Sequence, residues 1–159
     1  MALGKRCSEQ QSAFWVPMDQ LGSGPRNAFY DRLNQLLAEM EFDRLLEEAV
    51  EPYYATTGRK GLPPGVYFRM IFIGYFEDIS SQRGIAWRCD DSKSLARFLG
   101  YALGESTPDH STLSLTRERL PIEIHHFAFE LVLKAAQEYG LLKGKTIASM
   151  PPIWRQTPR

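Results

Sequence analysis

The stretch GVYFRMIFIGYFE, residues 65–77, decides the fold of this 159-residue chain. It contains the longest apolar run, which is interrupted by Arg69, and it follows Pro63 and Pro64, which suit the first turn of a helix. A run of this length and composition predicts a central helix over 66–77. The side chains that we expect in the core are Phe68, Ile71, Phe72 and Tyr75.

Shorter helices are predicted on both sides of the central one. Apolar residues recur at helical spacing over 29–40, and a second short helix follows and ends at Pro52. The expected N-caps after the central helix are Ser80 or Ser81, Asp91 or Ser92, and Asp109, ahead of helices over 82–89, 93–99 and 109–120. A last long helix opens at Pro121 and ends at Gly140.

These elements predict an all-α fold, a compact cluster of about six or seven helices over 28–140. Residues 1–27 are expected to form an irregular N-terminal arm, because glycine and proline interrupt any periodic pattern there. Residues 141–159 are expected to hold one strand without a partner, over 141–147, followed by an unstructured, proline-rich tail.

Charge and cysteine content exclude several classes of protein. The 19 basic and 19 acidic residues cancel, so the net charge indicates no partner by itself. The distribution is uneven, since 59–97 holds seven bases against four acids and 28–54 holds two bases against seven acids. Cys7 and Cys89 match neither a disulfide framework nor a zinc-ligand spacing. Because the sequence shows no secretory signal and no 18-residue apolar run, we expect a cytoplasmic protein without membrane contacts.

The sequence contains no pattern that indicates an active site. His125 and His126 are neighbours on a helix and point about 100° apart, so they cannot hold one metal ion together. The run DHS at 109–111 shares only its composition with a catalytic triad, because adjacent helix positions cannot form the relay. Asp78 and Asp91 are interpreted as helix caps rather than metal ligands. We expect no catalytic residue, metal site or cofactor in this chain.

Nucleic-acid binding is the remaining candidate function. The helices over 80–100 and 107–120 follow one another at tight turns, as in a helix-turn-helix arrangement, and small hydroxyls and a histidine begin the last one. The residues that we expect near DNA are His110, Ser111, Ser114, Arg117 and Arg119, with Arg83, Arg88 and Arg97 in support.

Two alternatives to this interpretation stay open. The helix over 109–120 could present an ordinary solvated face, which has the same composition. The three supporting arginines could instead form ion pairs with Asp78, Asp90 and Asp91. Trp87 is expected in the core rather than at the surface as a stacking platform.

Five blocks of sequence occur in a fixed order along the chain. They are GVYFRM at 65–70, GYFE at 74–77, RGIAWR at 83–88, TPDHSTLS at 107–114 and LLKGKTI at 141–147. Together they resemble the N-terminal domain of bacterial insertion-sequence DDE transposases of the InsH-like group, over 29–147. The resemblance implies a helical domain that binds double-stranded DNA at the terminal inverted repeats of its element. In that family it precedes an RNase H-like catalytic domain that cuts and joins DNA with two divalent ions, Mg²⁺.

The chain departs from this family after Ile147. The family continues there with Gly-Ile/Val-Asp-Ala-Thr, which holds the first catalytic aspartate, whereas this chain continues with ASMPPIWRQTP at 148–158. One permitted set of codons for these residues, read two bases further on, encodes IDATNLEANA, which closely matches the family. We therefore expect the tail from Ala148 to be out of frame and the catalytic domain to be lost from this chain.

The sequence thus favours a catalytically inactive fragment of a transposase that binds DNA. A second hypothesis is a module that associates with intact transposase, or with itself, through apolar helix surface and inhibits transposition. A third is the product of a pseudogene without a selected role.

Overall fold

The computed structural model describes residues 27–54, 61–102 and 104–138, and these ranges contain helices and no strand. The seven α-helices are α1 (Ala28–Glu39), α2 (Phe42–Val50), α3 (Pro64–Phe76), α4 (Gln82–Asp91), α5 (Lys93–Phe98), α6 (His110–Arg119) and α7 (Ile122–Glu138), with a short 3₁₀ helix over Glu51–Tyr53. The all-α prediction is confirmed. The predicted arm up to residue 26, the strand over 141–147 and the tail that follows it lie outside the described residues.

Helix α3 is the central helix, as the sequence predicts. Every residue from Pro64 to Gly74 except Val66 is buried. A helix that is apolar on all sides is stable only when other elements surround it. Helices α2 and α4 pack against it, and buried side chains from all seven helices contribute to one continuous core around it.

The last turn of α3 differs from the prediction. Tyr75 was expected in the core, but its side chain is 44% exposed. The reason is that Gly74 is the position facing α4, where a Cβ atom would lie 2.5 Å from Cδ1 of Ile85. Tyr75 is the next residue, about 100° further around the helix, and it therefore turns away from α4.

The single arginine of α3 is buried with its partners around it. Arg69 lies only 2.6 Å and 2.9 Å from the two carboxylate oxygens of Asp43, so the pair is bidentate. Its Nε donates to Asn34 at 3.0 Å, and Nη1 also donates to the carbonyl of Gly65 at 3.1 Å. A buried guanidinium is tolerated when its donors are satisfied in this way. Arg69 thus connects α1, α2 and α3.

Three of the predicted N-caps are present, and two acidic caps are wrong. Ser81, Ser92 and Asp109 cap α4, α5 and α6, each accepting a hydrogen bond from a backbone N–H in the first turn. Asp91 is the last residue of α4 rather than the cap of α5, and Asp78 turns the chain in the left-handed region at a φ of 55°. Ser92, which follows Asp91, and Ser81, three residues after Asp78, reach the N–H groups instead.

The helices after α3 form a second group. Helix α4 packs against both α5 and α6, and α1 contacts α5. The chain turns sharply at Ser92 between α4 and α5, whereas the longer segment 99–109 joins α5 to α6. A helix-turn-helix motif uses a turn of three or four residues, and the segment between α5 and α6 is longer. The predicted helix-turn-helix arrangement therefore stays a prediction.

Helix α7 packs against the helices that precede α4, and a buried histidine takes part in this contact. His125 Nδ1 lies 3.0 Å from the carbonyl of Pro121, which can only accept, so Nδ1 carries the proton. Nε2 then accepts from the Tyr67 hydroxyl of α3, 2.9 Å away. His125 is buried in this contact, while His126 is exposed. None of the described helices is long and apolar enough to span a bilayer.

Candidate nucleic-acid interface

Helix α4 turns one face to the core and presents a tryptophan on the other. Its buried residues are Ile85, Ala86 and Cys89, which share the side that packs on α3. Trp87 lies on the opposite side and is 68% exposed, so its predicted place in the core is wrong. At 100° per residue, position 87 stands about 200° from position 85, and no rotation of α4 buries both.

Arg83 lies one turn before Trp87 on the same face of α4. Its side chain is exposed, and it forms no ion pair with any described residue. Neighbours four positions apart on a helix stand side by side, so the guanidinium of Arg83 and the indole ring of Trp87 occupy adjacent turns.

These two residues line a cleft between α4 and the segment that leads into α6. The cleft has a volume of about 320 Å³, and its lining residues are Arg83, Ala86, Trp87, Asp90, Ser106, Thr107, Pro108, Asp109 and His110. The Thr107 hydroxyl is buried and has no hydrogen-bond partner within the described ranges. We call the exposed surface formed by Arg83, Trp87, His110 and Ser111 the α4–α6 face.

The start of α6 is held by its cap. Oδ1 of Asp109 accepts from the backbone N–H of Thr112 at 2.8 Å and from the Ser111 hydroxyl at 2.9 Å. These hydrogen bonds to the ionised form lower the pKa of Asp109 to about 2. Ser111 therefore donates to the carboxylate directly, and the geometry of a nucleophile, base and orienting acid is not formed, as expected for the run at 109–111.

Ser114 joins α6 to α4. Its hydroxyl is hydrogen-bonded to the side-chain carbonyl of Gln82, and it lies 2.9 Å from the carbonyl of His110. The side chain is only partly exposed. Of the residues expected near DNA, Ser114 thus orients the two helices, and His110 and Ser111 are the exposed ones at this end of α6.

The two arginines of α6 lie at its other end. From His110 to Arg119 the helix rises about 14 Å, at 1.5 Å per residue. The guanidinium of Arg119 stacks over the ring of Tyr54, 4.9 Å from its centre, and Arg117 is partly buried. The structure brings Arg83, His110 and Ser111 to one surface and places Arg117 and Arg119 at another.

The remaining two supporting arginines also differ from each other. Arg88 forms an ion pair with Glu77, with its Nε 2.6 Å from Oε2. Glu77 also accepts from the hydroxyl of Tyr30 at 3.0 Å. The ion-pair alternative therefore applies to Arg88, although the acid is Glu77 and not an aspartate. Arg97 is half-buried on α5 and forms no ion pair with a described residue.

Sequence reasoning missed Trp87 as a surface residue, although a signal was present. The neighbours Ile85, Ala86 and Cys89 define a compact apolar side of α4, and the hydrophilic positions Arg83, Asp90 and Asp91 mark the opposite side. A large aromatic residue that shares its side with charged positions is a candidate for contact with a ligand.

The chain was compared with known protein families. A family model described as Transposase domain (DUF772) matches residues 19–119, and the match ends at the last residue of α6. No curated protein and no solved structure gave a match to the chain.

Proposed function

The chain belongs to the Transposase domain (DUF772) family, and from that premise we propose that it binds double-stranded DNA at the terminal inverted repeats of an insertion sequence. The observation that carries the proposal is the α4–α6 face. There an exposed arginine that pairs with no described acid, an exposed histidine and a serine hydroxyl lie close together. These are the side chains with which proteins contact phosphate oxygens and base edges.

The electrostatics of the neighbouring helices support the same proposal. Arg69 and Arg88 are neutralised by Asp43 and Glu77, and so they are unsuited to phosphate contacts. Arg83 on α4 and Arg97 on α5 are the arginines of these two helices whose charge no described carboxylate neutralises. A cation that gains an ion pair only on binding DNA releases counterions from the duplex, which drives association.

The position of the face on two joined helices also supports binding. Ser114 and Gln82 hold α4 against α6, so the groups of the face keep their relative positions before DNA arrives. Preorganised contacts lose less conformational entropy on association. We propose that the start of α6 faces the base edges and that Arg83 contacts the backbone beside it, while Arg117 and Arg119 contribute less.

The experiment measures binding of the full chain to labelled duplexes by fluorescence anisotropy, at several salt concentrations. One duplex carries the inverted repeat that flanks the gene, and the other carries the same bases in scrambled order. The repeat is expected to bind more tightly, and both affinities should fall steeply as salt rises. Arg83→Gln should weaken binding to both duplexes and reduce the salt slope by about one phosphate contact.

A matched control is available on α2. Arg44 is also an exposed arginine, but its guanidinium is paired with Glu41 and Glu48 at 2.6 Å and 2.7 Å. Arg44→Gln should leave both affinities and the salt slope unchanged. Equal binding of the repeat and the scrambled duplex at low salt would contradict the proposed target. If Arg119→Gln weakens binding more than Arg83→Gln, the assignment of the face is wrong while DNA binding stands.

We also propose that this chain binds DNA without cutting it. The helices that we assign to binding, α4 and α6, lie within the family match, and we assign strand cleavage to none of their residues. An end-labelled inverted-repeat duplex incubated with the chain and Mg²⁺ should therefore stay intact. Cleavage products that disappear on addition of a chelator would show an activity that the proposal denies.

A second candidate function is supported by another surface. Phe29, Tyr75 and Phe76 are all exposed, and the rings of Phe29 and Phe76 meet edge to face at 4.9 Å. Exposed aromatic residues in contact with one another are typical of protein–protein interfaces. Under this proposal the chain associates with intact transposase and dampens it. Size-exclusion chromatography of mixtures tests it, because Phe29→Ser with Phe76→Ser should abolish co-elution and leave DNA binding unchanged.

A further inference from the structure

We propose that Trp87 stacks on an unpaired nucleobase that enters the cleft between α4 and the segment 104–109. The inference rests on the proposed function, since it names the form of DNA that the α4–α6 face takes. Its basis is the place of one aromatic ring in the fold, and no part of it depends on the DNA sequence that is recognised.

The first step of the argument is the exposure of the ring. Trp87 is 68% exposed, the largest exposed fraction among the bulky apolar side chains of the described residues. Tryptophan is normally well covered in a folded chain, because leaving its large ring in water forfeits the gain from burial. The exposed indole, which lies beside an arginine that pairs with no described acid, therefore has a surface available for a flat, apolar partner.

The second step is the shape of the site. Trp87 forms part of the wall of an open cleft of about 320 Å³. Clefts that hold small ligands begin at about this size. In a paired duplex the faces of a base are covered by its neighbours, so only a base that has left the stack can place its face against a protein ring.

The third step is the polar chemistry around the ring. Asp90 and Asp109 bring carboxylates to the cleft, and a phosphate is repelled by them, whereas the amino groups on base edges donate to such acceptors. Arg83 lies at the same cleft and attracts the phosphate of the same nucleotide.

The experiment compares three labelled probes with the full chain. They are a fully paired duplex, the same duplex with a short single-stranded overhang, and the overhang alone. Because stacking of one base on an aromatic side chain contributes substantially to affinity, the chain should bind the overhang duplex about tenfold more tightly than the blunt one. Trp87→Ala should remove this preference, so that the ratio of the overhang affinity to the blunt affinity falls to about one.

Two further variants separate stacking from other effects. Trp87→Phe keeps an aromatic face and should retain part of the preference for the overhang. In the unaltered chain the overhang should quench tryptophan emission, and this quenching should disappear in Trp87→Phe, which lacks the indole. Leu115→Ala is the matched control, because Leu115 is 63% exposed on the neighbouring helix α6 and lines no part of this cleft. It should bind all three probes as the unaltered chain does.

Three results would overturn the inference. In the first, Trp87→Ala retains the preference for the overhang. In the second, it weakens the blunt and overhang duplexes equally, which makes Trp87 a general contact. In the third, it changes the oligomeric state in size-exclusion chromatography, which makes the ring a protein contact. Failure of the proposed function looks different, since the blunt duplex then fails to bind the unaltered chain at any salt concentration.

Discussion

Two arginines on adjacent helices show how differently the same side chain is used in this molecule. Arg69 of α3 lies among Asp43, Asn34 and the carbonyl of Gly65, and only a tenth of its side chain is exposed. Arg83 of α4 is exposed and forms no ion pair with the described residues. Around α3 the arginine charge is used in an ion pair that holds helices together, whereas on the α4–α6 face the arginine charge is available to a partner.

This difference teaches that local charge counts are a poor guide to binding surfaces. The segment 59–97 is basic by sequence, yet two of its arginines are neutralised by acids from distant positions. The predictions that follow test whether the two regions really divide the work in this way, since each alters one region and measures stability or binding.

The largest effect on stability is expected at Arg69. Arg69→Ala removes a bidentate ion pair and two further hydrogen bonds, and it leaves the half-exposed carboxylate of Asp43 without its partner. The free energy of unfolding should fall by about 3 kcal/mol, the lower part of the range for breaking a buried pair. Denaturant unfolding followed by circular dichroism measures it. If the free energy of unfolding fell no more than it does when an exposed arginine is replaced, the contrast between Arg69 and Arg83 would be wrong.

A smaller loss of stability is expected from a substitution at the contact between α3 and α4. Gly74→Ala places a Cβ atom 2.5 Å and 2.9 Å from Cδ1 and Cγ1 of Ile85, so the two helices must move apart. We expect a loss of about 1 to 2 kcal/mol, because overpacking outweighs the better helix propensity of alanine.

The double variant is the control for this contact. Ile85→Val removes Cδ1, and Gly74→Ala should cost clearly less in that background. Denaturant unfolding of the four proteins gives the coupling. If the two substitutions are independent, the helices do not approach as closely as the structure indicates. DNA binding should survive in every variant that remains folded, since the α4–α6 face lies on the other side of α4.

The pH dependence of stability should reflect His125. Burial lowers the pKa of its imidazole, and the charges of Arg117 and His126 lower it further, whereas the hydrogen bond to Pro121 opposes them. The unfolded chain therefore binds this proton more tightly than the folded one. The neutral imidazole makes its full contribution to the free energy of unfolding above the unfolded pKa of about 6.5. That contribution is lost as pH falls from there towards the folded pKa, by at most about 1.4 kcal/mol per pH unit.

A pair of histidine variants isolates this term. Unfolding measured between pH 7 and pH 5 should show a flatter slope for His125→Phe, because no proton is then taken up on unfolding at that site. His126→Gln should keep the slope of the unaltered chain, since His126 is exposed. Equal slopes for all three proteins would mean that the imidazole of His125 is not held neutral by the fold.

The smallest effect on stability is expected at Arg83, the residue with the largest expected effect on DNA affinity among single arginines. Arg83→Gln should change the free energy of unfolding by no more than about 0.5 kcal/mol, as substitutions at exposed positions without partners usually do. The measurement is the same denaturant series as for Arg69→Ala. A loss comparable to that variant would show that Arg83 has a structural role, and the contrast between the two helices would disappear.

Most of the helices could be predicted from sequence because their signals are local. The predicted helices over 29–40, 66–77, 82–89, 93–99 and 109–120 all correspond to observed ones. Ser81, Ser92 and Asp109 were recognisable as caps because a cap acts on backbone groups two or three residues away. The errors at Asp78 and Asp91 show the limit of such signals, since a serine three residues or one residue further on was also a suitable cap and only geometry chooses between them.

The candidate site could be predicted only in part. His110 and Ser111 were expected near DNA, and they lie at an exposed helix start, as Asp109 indicates. The partners of Arg88 and Ser114 could not be foreseen, because Glu77 and Gln82 lie 11 and 32 residues away in the chain. Whether the eight residues contact DNA remains a prediction for the binding experiments.

The sequence by itself determined the helical class, the helix limits and the central place of α3, because periodicity, caps and prolines act within a few residues. The tertiary structure alone decided which charges are neutralised and which aromatic ring stays in solvent. Arg69 is structural because α1 and α2 bring Asn34 and Asp43 to it. Trp87 is exposed because α4 turns Ile85 and Cys89 towards the core. Both outcomes depend on how helices pack, which no short stretch of the chain encodes.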